Sequence, residues 1–207
     1  MPEGAWEESH ARDTYVSESG IIGIRGNRTK KGLWYNHMPA SSIQEQIGHE
    51  IWDRYFKFTT IRNPFDKLIS LFSVQLAHKQ EYSRSKKMLE FARRTLGSGK
   101  LIDTIQGNTE IELFRSWMAK GGYIIDRDKY MIDSEVCVDF FIRFEQLHED
   151  IRQVCHQLSI PFEPHLLPEF KKGKRSNIPF SEYYDEDTRQ IVEEQFAWEL
   201  REFNYSI

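Results

Sequence analysis

The sequence predicts an α/β domain in which a parallel sheet is covered by helices. Three observations lead there. Two apolar, strand-like runs, residues 56–61 and 136–144, each pass directly into an amphipathic helix. Strands and helices alternate along the chain instead of clustering. No internal repeat or low-complexity linker divides the 207 residues, which suffice for one domain with a substantial core.

Residues 1–36 are polar and broken by Gly20, Gly23, Gly26 and Gly32, so they read as an irregular surface segment. A helix is expected at 42–52, where Ser42 with Glu45 makes a capping box and Ile43, Ile47 and Ile51 share one face. A buried strand follows, with Phe56, Phe58 and Ile61 inward, and runs through Arg62 into a second helix. Asn63 suits the N-cap, Pro64 the first helical position, and Asp66 the first turn, where the helix dipole favours an acid. At about 100° per residue, Phe65, Leu68, Ile69, Phe72 and Leu76 form one apolar stripe. Ser70 falls outside it, beside Asp66.

Farther on, residues 83–96 read as a charged helical excursion. Thr109 and Glu112 form another capping box, for a helix carrying Leu113, Phe114, Trp117 and Met118 that Gly121-Gly122 ends. Residues 136–144 read as a buried strand. A helix at 145–158 then packs Leu147, Ile151, Val154 and Leu158. Residues 161–183 hold four of the seven prolines and a basic run, so they read as loop. The last helix starts near Asp185 and lays down Val192, Phe196, Leu200 and Phe203.

Composition narrows the function. A net charge of −4 argues against a broad nucleic-acid footprint, and no run approaches the ~20 apolar residues of a membrane span. The N-terminus is too polar for a signal peptide. Cys137 and Cys155 read as reduced thiols and offer no zinc spacing. Cytoplasm is the expected compartment, although a removed membrane anchor would leave no trace in the sequence.

Arg62 and Ser70 carry the most chemistry. A guanidinium at the carboxyl end of a strand, with a hydroxyl on the open side of the next helix, stands where open α/β sheets bind ligands. Both groups suit a phosphate. The alternative is that Arg62 pairs with a local acid and Ser70 is an ordinary polar helix residue. His37, in Y-N-H-M-P-A, is a candidate general base, or a structural histidine near a proline. Lys171, Lys172, Lys174 and Arg175 form either a solvated loop or an anion grip.

The stretch R-N-P-F-D-K-L-I-S-L-F resembles the 3′-phosphate-binding motif of sulfotransferases of the carbohydrate type. F-I-R-F-E-Q-L-H-E-D-I resembles that family's strand-then-helix with an R-x-E-x-L core, here Arg143, Glu145 and Leu147. The C-terminal Y-Y-D-E-D-T-R-Q-I-V-E-E-Q-F-A-W-E-L-R-E-F-N-Y resembles its terminal helix, so the likeness spans residues 35–207. It implies a P-loop-NTPase-like three-layer sandwich with a central parallel sheet. It also implies 3′-phosphoadenosine 5′-phosphosulfate (PAPS) as donor, 3′,5′-ADP as product, no metal, and a carbohydrate or other hydroxyl-bearing acceptor. By the same resemblance Arg62 and Ser70 hold the 3′-phosphate and His37 is the catalytic base. Arg175 or Ser176 then reaches the cofactor from its loop.

One family feature has no counterpart. The P-K-T-G-G-T-like loop, whose lysine and amides hold the 5′-phosphosulfate, does not occur. L-G-S-G-K at 96–100 follows a predicted helix instead of a strand and lies downstream of Arg62, so it is rejected. The expectation is a chain that starts past the first strand and its loop, with little or no transfer by these 207 residues alone and reduced stability. Two other classes compete: a non-catalytic sulfotransferase-like domain that binds nucleotide or glycan, and a phosphoryl-transfer enzyme, which would need a phosphate loop and a magnesium-binding acid.

Overall fold

The computed structural model describes residues 14–17, 20–24, 33–77, 109–167 and 178–207. In chain order the elements are β1 (Tyr15–Ser17), β2 (Gly20–Ile22), α1 (Ala40–Ile47), α2 (His49–Arg54), β3 (Phe58–Ile61) and a helix α3 at 64–77. Then come α4 (Glu110–Ala119), β4 (Met131–Ile132), β5 (Glu135–Val136), β6 (Phe140–Arg143), α5 (Leu147–Gln157), α6 (Phe180–Tyr183), α7 (Glu186–Gln195) and α8 (Ala197–Glu202). They fall into two compact units, residues 1–61 with 126–170 and residues 62–125 with 171–207. The predicted helix at 83–96 and the string at 96–100 lie outside the described residues.

In the first unit, β3 and β6 pair in parallel, from Phe58 opposite Phe140 to Ile61 opposite Arg143. The pairing is clamped where it begins. Asp139 and Phe140 donate their backbone N–H groups to the Lys57 carbonyl at 2.7 and 3.1 Å. The Asp139 carboxylate in turn accepts from the Lys57 N–H at 2.7 Å and meets its ammonium at 3.0 Å. Burial works against that carboxylate, yet the Lys57 hydrogen bonds and charge hold it below the usual range.

This clamp explains why the apolar run at 136–144 is not one buried strand. The chain bends at Asp139, leaving Val136 in a separate antiparallel hairpin of β4 with β5. The hairpin turns through Asp133 and Ser134 with φ of 52° and 67°, the two positive values a tight two-residue turn requires. Nor is residue run 56–61 a fully buried strand. It is shorter, Phe58 is 46% exposed, and Ile61 is its buried residue.

The helix expected at 42–52 is two helices. Gly48, with φ of 79°, breaks it. Helix α1 starts at Ala40, so Ser42 lies inside it and forms no capping box; the N-cap is Pro39, without a side-chain bond. The break also leaves Ile51 exposed, and Trp52 takes the buried position instead. Gly23 is needed for a different reason: any Cβ there would stand 2.6 Å from the Tyr35 backbone nitrogen, where Ile24 bridges Tyr35.

Helix α5 begins after a 3-10 turn at Phe144–Gln146 and buries Val154, while Leu158, expected inside, is exposed. Its Asp150 is 1% exposed and accepts from the Arg143 N–H at 2.7 Å, from Nε at 3.0 Å and from Nη2 at 3.0 Å. Those bonds from Arg143 outweigh burial and hold the Asp150 carboxyl below the usual range. A carboxyl depressed in the folded state adds stability above its unfolded value, about 3.9, and that stability is lost as pH falls through the folded value. We therefore expect the wild type to lose stability below about pH 4 more steeply than Asp150→Asn. Unfolding midpoints measured against pH for both proteins check this.

The second unit is helical. The α3 stripe is as expected, with Phe65, Leu68, Ile69 and Phe72 buried and Leu76 packed against them. They meet Phe114 and Met118 of α4, Tyr183 and Tyr184, and Val192 and Phe196. The capping box of α4 forms as read: Glu112 N–H donates to Thr109 Oγ1 at 3.3 Å, and Thr109 N–H to Glu112 Oε2 at 2.7 Å. Gly121, with φ of 71°, ends that helix, its N–H bonding Met118 O and the N–H of Gly122 bonding Trp117 O. Asp185 caps α7 through Thr188, and the terminal helix breaks at Phe196 into α7 and α8.

Candidate functional site: the N-terminus of helix α3

The order strand, arginine, cap and helix exists in the structure, and each part has a physical cause. Asn63 Oδ1 accepts from the Phe65 N–H at 3.1 Å, the N-cap bond, and the Asn63 carbonyl accepts the first helical bond, from Lys67, at 2.8 Å. Pro64 fills the first helical position and is buried. Three long-range bonds hold this turn. Asn63 Nδ2 donates to the Ser206 carbonyl at 2.7 Å, the Tyr184 hydroxyl donates to the Phe65 carbonyl at 2.7 Å, and Lys67 Nζ donates to the Ile124 carbonyl at 3.1 Å.

Asn63 thus does two jobs, one per side-chain atom. Asn63→Ala removes both bonds and is expected to cost about 2 kcal/mol, one part cap and one part hydrogen bond. Asn63→Asp keeps the cap oxygen but sets an acceptor against the Ser206 carbonyl, so about half that loss is expected. Urea denaturation of the three proteins separates these values.

Arg62 stands just before the cap. Its Nε donates to Asp66 Oδ2 at 2.6 Å, and its Nη2 pairs with the same oxygen. The local-acid partner weighed from sequence is therefore present. Helical spacing sets Asp66 and Ser70 one above the other on α3. Ser70 is half-buried and outside the apolar stripe; the fully buried serine is Ser73, which donates to the Ile69 carbonyl at 2.8 Å. Arg62 and Asp66 thus meet at the start of α3, and Ser70 stands one turn farther along the helix.

His37 belongs to the other unit. It is exposed, in a turn between buried Met38 and a backbone bond from Asn36 to the Ile24 carbonyl at 2.9 Å. Its φ is 59°, an uncommon conformation for a residue with a side chain. Beside it, Asn36 Oδ1 is buried without a hydrogen-bond partner among the described residues. Arg175, Ser176 and the lysines before them lie outside the described residues. Among those described, no group of three or more His, Cys, Asp or Glu is arranged to hold a metal ion, and no helix is long and apolar enough to cross a membrane.

Comparison with known proteins settles the family. The model of the Sulfotransferase family matches residues 25–206, nearly the whole chain. The chain belongs to the sulfotransferase family. That family is one of PAPS-dependent transferases, so a PAPS donor, sulfuryl transfer and a hydroxyl acceptor are its implied chemistry. The mixed α/β structure with its small parallel sheet is consistent with the sulfotransferase fold. Neither a search of curated proteins nor one of solved structures returned a match.

For this sulfotransferase the sequence missed the ties that hold the α3 turn. Asn63 and Ser206 are 143 positions apart, and nothing local in either segment announces the bond. Arg143 was read as part of an R-x-E-x-L core. In the structure it bonds Asp150, three residues past Leu147, and an arginine at a strand end with an acid in the following helix is the one signal that points to the pair.

Proposed function

We propose that this chain is a sulfotransferase of the carbohydrate type, moving a sulfuryl group from PAPS to a carbohydrate hydroxyl. The single observation that carries the reading is the capped N-terminus of α3, with Arg62 directly before it and Ser70 outside its apolar stripe. The donor set fits a phosphate: a guanidinium fork makes charge-assisted bonds to two oxygens, and a hydroxyl donates to a third. When bound, PAPS supplies an activated sulfuryl group whose release leaves 3′,5′-ADP.

In this reading Arg62 and Ser70 hold the nucleotide through its 3′-phosphate, and Arg175 adds a second cation. His37 takes the proton of the acceptor hydroxyl on a neutral imidazole nitrogen. Its unusual backbone supports the assignment, since strained conformations gather at functional sites. Formation of 3′,5′-ADP from PAPS, measured with and without carbohydrate acceptors, tests the proposal. The expected result is slow acceptor-dependent turnover, held down because these 207 residues carry no phosphate-loop lysine, that His37→Ala lowers about a hundredfold or more, with 3′,5′-ADP binding unchanged.

A second reading has one observation in its favour. Nothing in the 207 residues resembles the lysine-bearing phosphate loop, and a non-catalytic domain that binds the nucleotide needs none. Binding of 3′,5′-ADP with no turnover under any acceptor supports that reading over transfer.

A further inference from the structure

Asn36 and His37 form a turn that the chain pins on both sides. Before it, Ile24 donates its N–H to the Trp34 carbonyl at 2.8 Å and accepts from the Asn36 N–H at 2.9 Å; after it, Met38 is buried. Inside this frame two neighbouring residues each carry a cost. Asn36 Oδ1 is buried and accepts no hydrogen bond among the described residues, although water would supply one in the unfolded chain. His37 holds a left-handed backbone, with φ of 59°. Its ring is exposed, and among the described residues no hydrogen bond fixes which nitrogen carries the proton. A buried water explains Oδ1 poorly. Such a water needs two or more polar partners, and no second buried side-chain atom lacks a partner among the described residues.

The two gaps complement each other. A neutral histidine that takes a proton on Nε2 already carries its other proton on Nδ1. Nδ1 is the ring nitrogen nearer the backbone, hence the one that a neighbouring side chain reaches. With φ of 59°, His37 has also left the extended backbone, in which neighbouring side chains point to opposite faces. We infer that Asn36 is the positioning residue for the base: as His37 takes the acceptor's proton, its Nδ1–H donates to Asn36 Oδ1, and that bond holds Nε2 toward the acceptor. The inference rests on the role given to His37 under the proposed function. The hydroxyl proton goes to Nε2 and the Nδ1 proton stays on the ring, so Asn36 exchanges no proton. It acts by orienting the ring and by setting a carbonyl oxygen against the positive charge. Catalytic hydrogen bonds commonly tighten only once the site is filled, and this one forms with the imidazolium.

Acid makes the same imidazolium without any ligand, so proton NMR of the full chain tests the bond. At about pH 5, where an ordinary histidine is protonated, the wild type is expected to show a His37 Nδ1–H signal whose exchange with water the bond slows. His37→Gln removes that signal and so assigns it. Asn36→Leu keeps the shape of the side chain without its oxygen. It is expected to lose the signal and to raise the urea midpoint, because a buried unpaired acceptor is gone. It also lowers acceptor-dependent formation of 3′,5′-ADP about tenfold, with 3′,5′-ADP binding unchanged. Asn36→Asp keeps an acceptor oxygen and keeps the signal. No Nδ1–H signal in the wild type, or one that survives in Asn36→Leu, overturns the inference. If the signal depends on Asn36 but His37→Ala leaves turnover unchanged, the bond exists and His37 is not the base. That result also overturns the positioning role, and it is distinct from a missing bond.

Discussion

Arg62→Ala is expected to weaken 3′,5′-ADP binding about a hundredfold while leaving the fold intact. The magnitude comes from two charge-assisted hydrogen bonds at about 1.5 kcal/mol or more each, and 1.4 kcal/mol is a factor of ten. The intact fold follows from position. Arg62 precedes the helix and contributes nothing to the buried stripe of Phe65, Leu68, Ile69 and Phe72. Its loss leaves Asp66 in the first turn of α3, where the helix dipole favours a negative charge. Arg62→Lys keeps the charge but loses the planar fork, so about a tenfold loss is expected. Calorimetry for affinity and thermal denaturation for the fold check both statements. A variant that binds 3′,5′-ADP like the wild type rules out Arg62 as the phosphate ligand.

The largest stability effect is expected at Phe114. It is fully buried, with ring centroids 5.5 Å from Phe72, 5.4 Å from Tyr183 and 5.1 Å from Tyr184. All three contacts are edge-to-face, the favourable arrangement for aromatic rings. Phe114→Ala leaves a cavity among rings too constrained to close it and is expected to cost about 4 kcal/mol, a large part of a typical ~5–15 kcal/mol. Phe114→Leu fills most of the space and costs about 1.5 kcal/mol or less. Urea denaturation measures both. A loss under about 1 kcal/mol for Phe114→Ala means that the cluster is not the core of its unit.

What could be read from sequence follows the range of the forces involved. The α3 stripe, its Asn63 cap and the Thr109–Glu112 box depend on residues at most a few positions apart, and all three form as read. Where a local preference met a stronger constraint, the reading failed. Ser42 and Glu45 match a capping box, but the helix begins two residues earlier and Gly48 then breaks it. Residues 136–144 have strand composition throughout, yet Asp139 bends the chain to clamp Lys57, across 82 positions. The candidate site shows the same division. Asn63 and Asp66 were legible because they stand a few positions apart at the start of one helix. The bonds that fix the turn, from Asn63 to Ser206 and from Tyr184 to Phe65, join distant segments and left no local pattern.

The central claim is that the N-terminus of α3 recognises a 3′-phosphate. Titrating the wild-type chain with 3′,5′-ADP and with 5′-AMP in the same buffer tests it most directly, since the nucleotides differ only in that group. The account predicts that 3′,5′-ADP binds at least tenfold more tightly. Equal affinity for the two nucleotides, or no detectable binding of either, would contradict it.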